Sequence, residues 1–217
     1  DYSLSFDGDY DWIALDNSDI VFTQSQGLTV AFHAQIDPGT GGAILTRYDN
    51  GDGGNSNFYI GINDADGDGL CTIYTFGMGN MCQGISDPEI CNYNLGDNIE
   101  CLDEEELYYI VFGDSDYNTK LYHNNSLLGQ FNLNVNPNPS VEPLVIGRIM
   151  DTHDNQHFNF FNGAISQIKT WSMALSLDQI ENIDSYSEHL SSDFRFNEGE
   201  GEILYDHSGN GNHGAIN

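Results

Sequence analysis

Residues 28–36, LTVAFHAQI, alternate: Leu28, Val30, Phe32, Ala34 and Ile36 fall on one face, Thr29, His33 and Gln35 on the other. A period of two puts successive side chains on opposite sides of an extended backbone, so this run predicts a half-buried strand. Similar short runs follow at FYIGI (58–62), LCTIYTF (70–76), LYYIVF (107–112), KLYH (120–123), LLGQFNL (127–133) and PLVIGR (143–148), with Gly, Asn and Asp between them. Two hairpin turns are predicted, at NDADGDG (63–69) and at Asn124-Asn125, where both central residues tolerate positive φ. One segment departs from the extended pattern. Around SLDQI, Ser176 and Gln179 have the spacing of a capping box, which predicts a single short helix near 176–183. Strands and turns with one helix make an all-β sandwich or barrel. Residues 77–106 lack apolar periodicity and read as an insertion loop.

Composition changes this picture in two ways. The 217 residues hold 34 Asp and Glu against 5 Lys and Arg, a formal charge of −29, which repels nucleic-acid phosphates and anionic lipid surfaces. That excludes nucleic acid as a partner, and no apolar run reaches the ~20 residues of a membrane-spanning helix. Acidity solvates a surface, and it also supplies the carboxylate, amide and carbonyl oxygens that hard cations prefer, so calcium is the expected cofactor. The four cysteines, Cys71, Cys82, Cys91 and Cys101, are even in number, clustered and without CxxC spacing, which favours disulfides and an extracellular, secreted or cell-surface protein. Three pairings are open; loop closure alone favours an outer Cys71–Cys101 bridge around Cys82–Cys91, pinning the insertion. No leader-type segment precedes Asp1, so a mature or an excised chain is expected. Asn124-Asn125-Ser126 is a glycosylation sequon on a predicted hairpin tip.

FFNGAISQIKTWSMALSLDQI (160–180) joins a glycine turn, a strand ending in Trp171, an "ALS" step and a capped helix. This resembles the C-terminal part of laminin G-like and pentraxin-like domains. SLSFDGDYDWIAL (3–15) looks like the first strand and acidic turn of such a domain. LTVAFHAQI, YIGIN, the KLYHNNSLLG hairpin and PLVIGR follow in the family's order, and DFRFNEGEGEILYDHSGNGNHGAI (193–216) resembles a segment that bacterial and marine members carry. The resemblance covers nearly the whole chain and implies one domain over 1–217. Its implied fold is a concanavalin A-like jelly roll, two antiparallel sheets packed face to face. The 77–106 segment departs from the family pattern.

Candidate metal ligands fall into three groups. Asp64, Asp66 and Asp68 alternate before Gly69 as at the start of an EF-hand loop, but position twelve of that register is Thr75, so the closing Glu is missing. In RIMDTHDNQHFN the resemblance nominates Asp151 and Asp154, and in RYDNGDGGN it nominates Asp49 and Asn50; two such loops at one edge could share a calcium ion open to a ligand. Asp7 and Asp9, flanking Gly8, make a third, structural group. His153 and His157 lack a third zinc ligand. Of the aromatics Trp12, Tyr48, Tyr59, Tyr74 and Trp171, only Tyr48 adjoins a candidate loop and is the expected ligand contact.

Hydrolysis requires converging carboxylates. Glu200 and Glu202 are separated by Gly201 and preceded by Gly199, which indicates a turn, and the Glu-x-Asp-x-x-Glu strand signature of related glucanases is absent. The expected function is a non-catalytic, calcium-dependent adhesion module that binds a glycan or glycoprotein. The alternative is a structural subunit of an extracellular fibre, sheath or coat, built through sandwich edges; a polysaccharide-active enzyme is the third reading.

Overall fold

The computed structural model describes residues 2–15, 20, 23, 25–47, 58–64, 67, 68, 70–76, 92–100, 106–113, 118–132, 143–151 and 156–217. Among these, two antiparallel sheets pack face to face as a jelly-roll sandwich. The first has seven strands: β1 (Leu4–Asp7), β14 (Asn162–Trp171), β3 (Leu28–Ile36), β8 (Glu106–Phe112), β9 (Asn118–His123) and β10 (Ser126–Asn132) in that order, with β15 (Leu190–Phe194) also on β14. The second has eight, in the order β16 (Ile203–Leu204), β17 (Gly214–Ile216), β2 (Ile13–Leu15), β11 (Leu144–Ile146), β4 (Gly41–Arg47), β5 (Phe58–Asn63), β6 (Leu70–Phe76) and β7 (Asn92–Glu100). A separate hairpin joins β12 (Ile149–Asp151) to β13 (Gln156–Phe158).

The core lies between the sheets, filled by alternate residues of each strand. Val30, Phe32, Ala34, Ile110 and Phe112 come from one side and Ile13, Leu15, Phe58, Ile60, Ile62 and Ile146 from the other, all buried. Phe58 and Phe112 meet across the gap with ring centroids 6.3 Å apart. Gly163 lies inside β14, opposite Ile36 of β3 and Phe6 of β1. Its φ is 150°, and a Cβ there would come within 2.1 Å of the Gln35 carbonyl oxygen, so only glycine lets the strands approach this closely.

Three expectations are revised. The alternation in β3 predicted one polar face, yet Thr29 and Ala31 are also buried. A second apolar cluster explains this: Trp171, Leu175, Ile180 and Ile183 cover Ala31, Tyr109, Val111 and Tyr122 on the outer face of the seven-stranded sheet. Thr29 Oγ1 donates to the Met173 carbonyl (2.8 Å) and accepts from the Leu175 N–H (2.9 Å), so its polarity is satisfied inside that layer. The helix, α1 (Leu177–Ile180), is shorter than expected and is followed by a 3-10 turn at Ile183–Ser185. The capping-box pair is in place: the Ser176 N–H donates to Gln179 Oε1 (2.7 Å), and the Gln179 N–H also bonds the Ser176 backbone carbonyl (3.1 Å). Finally, residues 92–100, expected within a loop, form β7 on the edge of the larger sheet. Their polar sequence, NYNLGDNIE, hides a strand because an edge strand needs few buried side chains; Ile99 is buried.

Candidate functional site

Both predicted hairpins form. β5 and β6 pair across residues 64–69, and Asn124 and Asn125 take φ of 45° and 65° in a two-residue turn between β9 and β10. Asn124 is exposed at that tip, so the sequon is accessible.

The acidic turn residues serve their own loops. Asp64 is fully buried; one carboxylate oxygen accepts from the Gly39 N–H (3.1 Å) and the other from the Gly67 N–H (3.0 Å), tying two connections together. Asp68 Oδ1 accepts from the Leu70 N–H (2.9 Å). Asp7 Oδ1 accepts from the Tyr10 and Asp9 N–H groups, and these bonds hold its carboxyl below the usual range. Asp9 is exposed. Asp151 lies at the end of β12, and His157 is in β13. Tyr48, Asp49, Asn50, Asp66, His153 and Asp154 lie outside the described residues, as do Cys82, Cys91 and Cys101; Cys71 is buried on β6. Among the described residues, no three His, Cys, Asp or Glu side chains form a metal-binding group.

Glu200 and Glu202 are exposed on a turn whose glycines, Gly199 and Gly201, both take positive φ. Trp171 and Tyr59 are fully buried core residues. Tyr59 packs with Ala43 and Ile149 on the outer face of the larger sheet, and its hydroxyl accepts from Asn159 Nδ2.

Sequence reasoning missed a cluster beside this point. Tyr10 and Trp12 come from the β1–β2 connection, Arg148 from the link between β11 and β12, and Phe160 from the segment before β14. The Arg148 guanidinium carbon sits 3.4 Å from the centroid of the Trp12 ring and 5.9 Å from that of Phe160. Tyr10, 79% exposed, lies 6.4 Å from Phe160. Gly147 sets the turn: its φ is 88°, and a Cβ would come within 2.6 Å of the Phe6 ring. Thr46 Oγ1 donates to the Arg148 carbonyl (2.9 Å), anchoring the backbone on β4. Burial pulls the Arg148 guanidinium down to about 10, which leaves it charged at neutral pH. Lys169 and Arg195 pair with Asp184 and Asp193, whereas no carboxylate among the described residues pairs with Arg148. The available signal was that Arg148 is one of only five cations and follows directly on a predicted core strand.

The outer face of the smaller sheet is covered by the Trp171 cluster, and of the second aromatic cluster Tyr10 is the exposed member. An exposed aromatic ring offers apolar contact to the face of a ring ligand, and the buried guanidinium holds the Trp12 ring in place beside it.

No protein-family model matches the chain, and no curated protein matches it. Solved structures do. A candidate carbohydrate-binding protein of Bacteroides ovatus superposes with a TM-score of 0.65 at 17% identity, over 99% of this chain and 57% of that one. This chain thus spans little more than half of that protein. The heptameric SAP-like pentraxin of Limulus polyphemus gives 0.61 at 17% identity, covering 83% and 80%. The Ruminococcus gnavus IT-sialidase CBM40, bound to alpha2,3 sialyllactose, gives 0.57 at 13% identity, covering 84% and 96%. The likeness is one of fold. It places the chain among jelly-roll sandwiches.

Proposed function

We propose that the protein is a non-catalytic, extracellular glycan- or glycoprotein-binding module acting in adhesion, a single laminin G-like or pentraxin-like domain over residues 1–217. The observation that carries this reading is the aromatic cluster on this sandwich, in which exposed Tyr10 and half-buried Trp12 and Phe160 gather around the buried Arg148 guanidinium. Sugars are bound by shallow apolar platforms with a few fixed polar groups, which is what this surface offers. Solved structures of the same fold that carry carbohydrate-binding descriptions support it. Glu200 and Glu202, exposed on a glycine turn, offer no enclosed carboxylate pair for hydrolysis.

Calcium dependence forms part of the proposal. The nominated ligands are Asp151 and Asp154 with Asp49 and Asn50, loops that join or extend from β12 and β4. Secretion is supported by Cys71, which is buried and disulfide-bonded to a partner outside the described residues. A glycan array probed with and without chelator tests the reading: retention of a defined glycan class in calcium, lost with EDTA, is expected. An array blank under both conditions would overturn it.

One observation favours assembly as a second reading. β10 ends the strand order of the smaller sheet, and Leu127 and Leu128 on it are 51% and 46% exposed. An apolar edge strand is a template for pairing with another chain. Size-exclusion chromatography and electron microscopy distinguish ordered polymers, which this reading requires, from a monomer.

A further inference from the structure

Only one Asn-x-Ser or Asn-x-Thr tripeptide in the chain has a middle residue other than proline: Asn124-Asn125-Ser126, since Pro139 excludes Asn138-Pro139-Ser140. The fold puts it at the tip of the β9–β10 hairpin, where Asn124, Asn125 and Ser126 are all exposed. That tip is held in one shape. The Asn124 backbone N–H donates to the Leu107 carbonyl (3.0 Å), and His123 and Ser126 pair across the turn. Asn124 Nδ2 lies 3.3 Å from His123 Nε2, and the His123 ring stacks on Tyr108 with centroids 5.0 Å apart. A sugar on Nδ2 replaces one of its two hydrogens and leaves the other for His123.

The same hairpin carries an open apolar edge. Leu127 and Leu128, directly after the tripeptide, are 51% and 46% exposed on β10, which ends the strand order of its sheet among the described residues. Apart from a register shift between Leu127 and Gly129, β10 lacks the usual protections of an edge strand, because SLLGQFN contains neither a charge nor a proline. The net charge of −29 does not replace them at contact, since at 0.15 M salt repulsion is screened over about 8 Å. Leu128 is four residues beyond Asn124, so at about 3.4 Å per residue the whole patch lies within about 14 Å of the amide.

We infer that Asn124 is the acceptor for an N-linked oligosaccharide, whose bulk at the hairpin tip keeps a second copy of the chain off β10. The inference rests on the secreted part of the reading above, is independent of the ligand the module binds, and counts against assembly through this edge. The donor is a lipid-linked diphospho-oligosaccharide. Transfer forms the bond from Asn124 Nδ2 to C1 of the first sugar and breaks the bond from that carbon to the phosphate oxygen; the lipid diphosphate leaves, the amide gives one proton to a base of the transferase, and nothing is oxidised or reduced. Cys71, buried and disulfide-bonded, supports passage through the oxidising compartment in which such transfer takes place.

The test is mass spectrometry and sedimentation of the full chain secreted by cultured animal cells. The tryptic peptide 121–148 is expected to carry an oligosaccharide on Asn124 in most chains, and none in Ser126→Ala. Ser126→Ala is preferred to a change at Asn124, whose φ of 45° disfavours other side chains. Both Ser126→Ala and the parent stripped by peptide N-glycosidase are expected to self-associate at least tenfold more tightly than the glycosylated parent, and Leu127→Lys added to Ser126→Ala is expected to restore the monomer. The stripped parent keeps its sequence apart from the aspartate that release leaves at position 124, so this result does not depend on the folding of a variant. A bare Asn124 in a chain whose Cys71 resists alkylation overturns the acceptor site and leaves secretion standing; a bare Asn124 with a reactive Cys71 overturns both. Equal association of glycosylated and bare chains overturns the protection of β10.

Discussion

At the scale of single residues, the acidic side chains with the firmest structure are the ones whose oxygens hold backbone. Asp206 is the clearest case. It is buried, and its oxygens accept from the N–H groups of Asp193, Ser208 and Asn212 and from Ser208 Oγ, all at 2.8–3.0 Å. Burial raises its pKa, but these four hydrogen bonds together outweigh it and hold the carboxyl below the usual range. The stability follows from linkage. An unfolded Asp takes its proton near pH 4, before the folded one does, so the contribution is complete above that point and is lost as pH falls through the lower folded value. Asp206→Asn should therefore cost roughly 3 kcal/mol at neutral pH, because buried N–H donors lose a charged acceptor. Urea midpoints of the two proteins should differ equally at pH 7 and pH 5, and the gap should narrow as pH falls below about 4. A constant gap would mean that the charge is not what holds this turn. Nothing in the sequence signalled that one carboxylate gathers these donors, since the Asp193 N–H is brought to it from β15 and the others by the fold of the turn at 208–212.

Among elements, the strands were legible wherever one face is core, because period two is imposed by burial. β3, β5, β6, β8 and β11 fall where their alternating or apolar runs predicted. β7 was not legible, since an edge strand escapes that rule, and the polar half of β3 was misjudged because its cover comes from residues 171–183, far along the chain. The aromatic site was hidden for a similar reason: Trp12 and Arg148 are 136 positions apart and meet only through the β2–β11 pairing. Both hairpins could be read because turn chemistry is local. That locality gives a prediction. Asn125 pays a left-handed backbone cost that glycine does not, so Asn125→Gly should raise stability by about 0.5 kcal/mol, and Asn125→Ala should lower it by about 1 kcal/mol. Thermal melts of both variants measure this, and the sequon at Asn124 survives either change. The outer layer gives another. Trp171 is fully buried and its indole N–H donates to the Tyr186 carbonyl at 3.2 Å, so Trp171→Ala should cost about 3–5 kcal/mol and expose the face that α1 covers. Dye binding to exposed apolar surface in that variant, absent from the parent, reports the loss of cover.

For the molecule as a whole, the charge of −29 has two separable consequences, self-repulsion and cation binding. Repulsion between surface carboxylates is long-ranged and relaxes as the Debye length shrinks from about 30 Å at 0.01 M salt to about 8 Å at 0.15 M, so the melting temperature should climb with sodium chloride and then level off. Specific calcium binding adds to the folded state by mass action and is not replaced by screening. At a hundredfold excess over the dissociation constant it contributes about 2.7 kcal/mol. For a chain of this size that corresponds to about 5–10 °C. The measurement is a melt at constant high ionic strength, with calcium and then with EDTA. If the nominated loops bind the ion, Asp151→Asn combined with Asp154→Asn should abolish the increment while leaving the melt in EDTA unchanged. Asp64→Asn makes the opposite control. Its oxygens hold the Gly39 and Gly67 N–H groups, so that variant should melt lower with and without calcium and keep the full increment. A rise with calcium no greater than that with sodium at matched ionic strength would reduce the acidity to screening alone and remove calcium from the proposed function.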